Sequence, residues 1–474
     1  MRMWGAIRIF DDREEGLIHR TALRIMDEVG LIVENEEMLE RLARIGGRVD
    51  PAARRVTFSP DFVEAFIAES ERFDWESVKP HIRARAYVMF GYYLNPDTDE
   101  YEPWTLRTML RYLKVAHYLE HTGGAANYAI PIDNIPNEAL VLFFHYLALK
   151  FNARSAASLD NVKLCPYILE MCEAAAEEIG VPISDFFIGH FQMISPLKLG
   201  REEARIFNFF AERGLRVGIQ HMGSAGGTAP VTLAGAIALF LAEDLFINII
   251  NRTYFGDKTL SLGCAISPLD MRTGMYPFGR PEKEMCNIAM AQMARRYGAR
   301  YSGHCGHTDA KRPSVEAGFQ RALNSIPTLL VSGRVTIRCG LLSVDQVHSP
   351  IQMIIDDEIV NALHRFMRGF EVNEETLAFD VIKAVGAGGC FLDSEHTVRH
   401  FRTEFWEPRL FAREMFAGWQ HSGAKIDADM AMDIYHDFIQ REPLPVRIPE
   451  TLEHKLLDII HEATGVRIQP VEPE

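Results

Sequence analysis

The chain has 474 residues, 47% of them hydrophobic, which is enough to bury a large core. A formal net charge of −15 argues against nucleic acid and anionic membrane surfaces as partners. Seven scattered cysteines, none spaced as C-x-x-C, indicate a reducing compartment and not a disulfide framework.

The first residues carry charges with no long apolar stretch before them, which speaks against a signal peptide. Ile18, Ala22, Ile25, Met26 and Val29 recur at helical spacing, and Gly30 can cap that helix. A second helix is predicted over 36–45, with short strands at 56–58 and 87–90. Residues 1–104 are therefore read as a mainly helical N-terminal cap segment. The longest apolar runs, near 139–149 and 231–242, fall short of a bilayer span. A cytoplasmic location is the expectation.

From residue 105 to 474 short apolar runs alternate with helical stretches. Strands are predicted at 125–130, 153–158, 186–193, 216–221, 259–265, 300–304, 334–339 and 389–392. Helices between them end at glycines such as Gly214, Gly298 and Gly369. Parallel strands need crossover helices, so eight such repeats point to a TIM (β/α)8 barrel, with a doubly wound open sheet as the alternative. In a barrel the site lies where strands end at their C-terminal rim. Polar residues gather there in this sequence: Asp133, Asn134, Asp160, Gln192, Ser195, Gln220, His221, Ser267, His304, His307, Asp309, Asp345, His348, Glu395 and His396.

Several segments carry competing readings. In GHCGHTDA, His304, Cys305 and His307 offer zinc donors, but three donors within four residues at a strand end suit one metal poorly. No metal is expected, and pocket-lining histidines are preferred. In HMGSAGGTAP, the glycines Gly223, Gly226 and Gly227 match no phosphate fingerprint and leave either a tight turn or room for a bulky ligand. The acidic run Asp356, Asp357, Glu358 is read as complementing a helix dipole. Tyr128, Phe191, Tyr254, Tyr276 and Phe391 fall near the rim; most aromatics are core, and a cage for a quaternary ammonium is the specific alternative.

Four segments resemble the trimethylamine:corrinoid methyltransferase family: 19–50, 229–239 (APVTLAGAIAL), 308–318 (TDAKRPSVEAG) and, most specifically, 383–411 (KAVGAGGCFLDSEHTVRHFRTEFWEPRLF). The resemblance runs in the same order over nearly the whole chain. It implies a barrel that passes a methyl group to the cob(I)alamin of a separate corrinoid protein, usually as a homo-oligomer. Members acting on trimethylamine carry pyrrolysine near the end of the seventh strand. This chain reads through 334–350 with ordinary residues and so resembles the branch acting on quaternary amines such as glycine betaine. The expected substrate-binding residues are Gln192, Gln220, His221, His304, His307, His396 and Phe191. His221, His304, His307 and the backbone near Gly226 are the candidates for gripping a substrate carboxylate. Gly223, Gly226 and Gly227 are expected to face the corrinoid. The alternatives are a barrel that binds a quaternary-ammonium osmolyte without turnover and a zinc-dependent methyltransferase.

Overall fold

The computed structural model describes residues 7–127, 130–152, 157–159 and 161–474. Eight parallel strands, each followed by a helix, form the main body among the described residues. We label the strands β1 (His81–Val88), β2 (Thr122–Asn127), β3 (Ala157–Ser158), β4 (Gly189–Gln192), β5 (Val217–Gln220), β6 (Ser261–Cys264), β7 (Arg300–Gly303) and β8 (Arg334–Cys339). The helices are α1 (Leu106–Tyr118), α2 (Leu140–Asn152), α3 (Cys165–Ile179), α4 (Arg201–Ala211), α5 (Leu233–Phe255), α6 (Pro281–Tyr297), α7 (Val315–Ser332) and α8 (Pro350–Arg368).

The strands pair in three parallel arcs, β8-β1-β2, β3-β4-β5 and β6-β7. Short continuations join two of the seams. Gly223–Ala225, beyond β5, pairs in parallel with Ile266–Pro268, beyond β6. Past β7, the Gly306 carbonyl accepts from the Arg338 N–H of β8 at 3.1 Å.

Sequence reading counts eight strands, but its frame is displaced by one. The strand at 389–392 is corrected: those residues form no strand, and Phe391 and Leu392 are exposed. The eighth strand is instead β1, which lies inside the segment read as cap and pairs with β8 from Arg334↔His81 to Cys339↔Ala86. Its sequence hides all but its end. Ile82, Ala84, Ala86 and Val88 are buried toward the helices, while His81, Arg83, Arg85 and Tyr87 take the other face. A strand whose inner face carries arginine does not show as an apolar run.

The N-terminal segment is a small α/β unit. Helix Asp12–Arg24 starts at a capping box in which Asp11 accepts from the Glu14 N–H and Glu14 from the Asp11 N–H. It continues as a π-helical turn, Ile25–Val29, that ends at Gly30 with φ +80°. A Cβ at Gly30 would lie 2.5 Å from the Val56 carbonyl, so only glycine fits. Leu31–Val33, Arg55–Thr57 and Arg48–Asp50 form an antiparallel sheet that Lys198–Leu199 extends in parallel. Helix Asp12–Arg24 packs on α5, which ties this unit to the main body.

Helix α5 corrects the reading of its apolar run as too short to span. At 23 residues it is long and apolar enough by composition, yet its central turns are buried inside the protein. An all-round apolar helix of this kind fits a core position. The acidic run is also corrected. Helix α8 starts at Pro350, so Asp356, Asp357 and Glu358 lie in its second and third turns, away from the end where a dipole acts. All three are fully buried. Asp356 meets Arg321 at 3.0 Å, and Arg409 bridges Asp357 at 2.7 Å and Glu358 at 3.0 Å.

After α8 the chain leaves the body. Helices Glu374–Leu377, Phe379–Val385, Glu395–Glu404 and Phe416–His421 bury none of their residues. Phe379, Phe405, Met415 and Phe416 are between 67% and 85% exposed. Helix Asp427–Gln440 then returns to pack on α8 and α1, and Glu450–Thr464 packs on α3 and α2.

Candidate active site

An open cavity of about 470 Å³ lies at the C-terminal ends of the strands. The wall strands contribute Tyr87 of β1, Gln192 of β4, Gly218 to Gln220 of β5, Ser261 to Cys264 of β6, Ser302 and Gly303 of β7 and Arg338 of β8. Of the residues expected from sequence, Gln192, Gln220, His221, His304 and His307 come together here. The Gln192 amide donates to the Gln220 carbonyl oxygen at 2.8 Å.

The others lie elsewhere. Phe191, adjacent to Gln192, points the opposite way and is 2% exposed in the apolar core. His396 sits in the outlying helix Glu395–Glu404, its ring 4.4 Å from that of His400. Gly223, Gly226 and Gly227 belong to the segment beyond β5 and do not line the cavity. Gly223 is there for contact: a Cβ would lie 2.5 Å from the Phe240 ring. Tyr254 donates to Asn208 away from the cavity, and the Tyr276 hydroxyl donates to the Ala265 carbonyl. Tyr128 and Asp160 lie outside the described residues. The aromatic faces that do line the cavity are Tyr87, Phe240 and Phe278.

His221 follows β5 and is held between two carboxylates of α5. Its Nδ1 is 2.8 Å from Glu243 and its Nε2 2.9 Å from Asp244, and its ring stacks 4.0 Å from Phe240. Burial opposes charge on this imidazole, but Asp244 and Glu243 outweigh it and raise the pKa to about 9. Both ring nitrogens are therefore donors already in use. This corrects the expectation that His221 grips a substrate carboxylate, because it has no donor left to offer. Glu243 also accepts from the Leu197 N–H at 2.8 Å and the Ser195 hydroxyl at 3.0 Å, and Asp244 from the Gly263 N–H at 2.9 Å. Burial raises the Asp244 carboxyl, against the pull of the His221 cation.

His304 and His307, beyond β7, differ from His221. Their rings stack 4.1 Å apart, and Phe278 lies against both, at 5.1 Å and 4.5 Å. Burial, the neighbouring His307 and Lys283 push the His304 pKa well down. Burial also lowers His307, against the opposing pull of Asp345. Both rings are thus neutral at pH 7. His307 Nδ1 is 3.1 Å from Asp345, which fixes the ring, while His307 Nε2 and His304 Nδ1 are buried without a partner. Cys305 points away from the two histidines, its thiol toward the Gly303 and Thr336 carbonyls at 3.8 Å and 4.0 Å. Burial lifts that thiol to about 12. The three donors of GHCGHTDA do not converge. Among the described residues no group of three or more His, Cys, Asp or Glu is placed to hold a metal ion.

Asp345 is aimed by a strained turn. Ser343, Val344 and Asp345 are all left-handed, with φ of 54°, 57° and 64°. That conformation costs an L-residue about 1–2 kcal/mol, and a β-branched valine accepts it least readily. The turn is held by the Ser343 N–H to the Ala310 carbonyl at 2.8 Å and the Val344 N–H to the Thr308 carbonyl at 3.2 Å. Strain held in this way, beside a cavity wall, is a feature of functional sites.

Arg338 is the residue that sequence reading missed. It stands one position from the end of β8 and lines the cavity, its guanidinium 4.2 Å from the centre of the Tyr87 ring. The available signal was alternation: in RVTIRC every second residue is apolar, so Arg334, Thr336 and Arg338 share the other face.

The family model described as trimethylamine methyltransferase (MTTB) matches residues 1–464. The chain belongs to that family. The resemblance read from the sequence is thereby borne out. Trimethylamine methyltransferase MttB of Desulfitobacterium hafniense is 26% identical over 463 residues, covering 94% of this chain and 92% of that protein. A glycine betaine methyltransferase of the same species is 26% identical over 420 residues, covering 85% and 86%. Trimethylamine methyltransferase MttB1 of Methanosarcina acetivorans is 30% identical over 247 residues, about half of each chain. A solved structure, the hydroxylamine complex of MtmB, overlays with a TM-score of 0.47 at 12% identity, covering 97% of this chain and 96% of that one.

Proposed function

We propose that this MTTB-family chain is a corrinoid-dependent methyltransferase. It moves a methyl group from a small quaternary amine to cob(I)alamin carried by a separate corrinoid protein, and its eight strands close into a (β/α)8 barrel. The observation that carries the reading is the neutral stack Phe278–His304–His307, which lines the same cavity as His221 and the carboxyl-bearing Asp244. Aromatic faces and a nearby carboxyl suit a cation that cannot donate hydrogen bonds. Bound on its carrier, the corrinoid supplies the cobalt electron pair that takes the methyl group.

A quaternary ammonium leaves as a neutral amine. The C–N bond breaks with its electron pair going to nitrogen, and no proton moves. The site therefore needs positioning more than a general acid. Two imidazoles kept neutral, one of them fixed by Asp345, fit that demand. Asp244 is itself muted by the His221 cation. An unscreened carboxylate against the ammonium would stabilise the ground state more than the transition state, where the positive charge is lost. The test is methylation of reduced cobalamin, followed optically, with a panel of betaines, carnitine and choline. Calorimetric binding of an amine without any methylation would favour the osmolyte-binding alternative.

We further infer a homo-oligomer. The segment from Phe370 to Ile426 exposes phenylalanines, leucines and isoleucines along its length and has no core of its own. Exposed apolar surface of this kind marks an interaction site. A corrinoid carrier must leave after each turnover, so a second copy of the chain is the better occupant. Seven scattered cysteines with no C-x-x-C spacing accord with the expected cytoplasmic compartment.

A further inference from the structure

Arg338 is a cation with no ion pair within 4 Å among the described residues; Asp345 is the carboxylate whose charge acts on it. Its guanidinium makes no hydrogen bond among the described residues; its contact is the Tyr87 ring. Arg85, its partner in register on β1, lies on the same face as Tyr87 and adds like charge. Asp345 is itself engaged by His307. Burial draws the Arg338 pKa down to about 10, so the guanidinium stays charged at pH 7. A charge held in the protein wall without an ion pair is costly, and such sites are built for something that arrives. The same cavity is lined by Asp244 of α5.

We propose that Arg338 is the specificity residue for the amine, receiving an anionic group on it as a bidentate carboxylate. This rests on the methyl-transfer reading above and narrows its substrates to zwitterions. A planar guanidinium matches a carboxylate with two parallel N–H donors, and stacking on Tyr87 keeps the fork from rotating. The ammonium end then lies toward Asp244 and the aromatic faces. The assignment replaces the histidines as the carboxylate grip: His221 is fully engaged, and His304 and His307 carry no charge.

Glycine betaine and choline separate the two ends, since they share the trimethylammonium and differ in carboxylate against hydroxyl. Calorimetry with the full chain should show glycine betaine bound at least about tenfold tighter than choline. Arg338→Met should weaken glycine betaine by about 10- to 100-fold and leave choline within about threefold. Arg338→Lys, which keeps the charge but loses the fork, should fall between and serves as the test if the methionine variant does not fold. Equal loss for both ligands, no loss for either, or a wild-type preference for choline would each overturn the assignment. Methylation of reduced cobalamin is scored separately. If no amine methylates it while Arg338 still selects the carboxylate in calorimetry, the methyl-transfer reading fails and the assignment of Arg338 stands.

Discussion

Replacing His221 by glutamine should change how stability depends on pH. Raising the imidazole from its ordinary 6.5 to about 9 corresponds to ~3 kcal/mol in favour of the folded state. The sign follows from proton counting. Below pH 6.5 the unfolded imidazole is charged too, and the full contribution is present. Between 6.5 and 9 the folded state keeps a proton that the unfolded chain has lost, so stability falls by about 1.4 kcal/mol per pH unit. Above 9 the contribution is gone. His221→Gln also leaves Glu243 and Asp244 buried without their cation, a loss of about 3–5 kcal/mol near neutrality. Toward acid Asp244, whose carboxyl burial raises, takes up a proton and the loss shrinks. Urea melts of both proteins at pH 6, 7, 8 and 9, at constant ionic strength, should show the gap widest near neutrality and closing toward pH 9. A gap that stays constant from pH 7 to pH 9 would refute the charged-imidazole assignment.

Arg321→Met should cost about 3–5 kcal/mol in urea melts, because it strands Asp356 and the Gly306 and Leu341 carbonyls, and adding Asp356→Asn should restore part of that. Gly223→Ala should destabilise by about 1–3 kcal/mol and weaken amine binding in calorimetry, since the new Cβ displaces the Phe240 ring that faces both His221 and the cavity. Val344→Gly should leave melting unchanged or raise stability by about 1 kcal/mol while slowing methyl transfer severalfold, as the relaxed turn no longer holds Asp345 against His307. Phe379→Glu with Phe405→Glu should dissociate the assembly in sedimentation without lowering helix content, since neither side chain is packed in the single chain.

Legibility in the sequence followed what each residue faces. Apolar strands such as Arg334–Cys339 and Val217–Gln220 declared themselves because their outer faces pack on helices. β1 showed only at its end, in the strand read at 87–90, since His81, Arg83 and Arg85 fill the face turned away from the buried Ile82, Ala84 and Ala86. The five cavity residues Gln192, Gln220, His221, His304 and His307 were found from the rule that polar groups at strand ends collect on one rim. The same rule failed for His396, because the strand assumed to precede it does not form. What each histidine does was not readable. His221 and His307 are the same residue type; two carboxylates more than twenty positions away outweigh burial at His221, while burial outweighs the single Asp345 at His307. The acidic run misled for a related reason: Arg321 and Arg409, its partners, are remote in the chain.

The pairing of β8 with β1 has a consequence for how the protein is made. Ala86 and Cys339 are in register but more than 250 residues apart. At a synthesis rate of about 5–20 residues per second, one edge of β1 leaves the ribosome roughly 10 to 50 seconds before its partner exists. Through that interval an eight-residue edge bearing Ile82, Ala84, Ala86 and Val88 has only β2 beside it. Bare edges of this kind recruit other chains, and charge on them is a natural deterrent. Arg83 and Arg85 supply such charge on the nascent chain, so the two arginines that make the finished inner face polar also guard the strand while it waits.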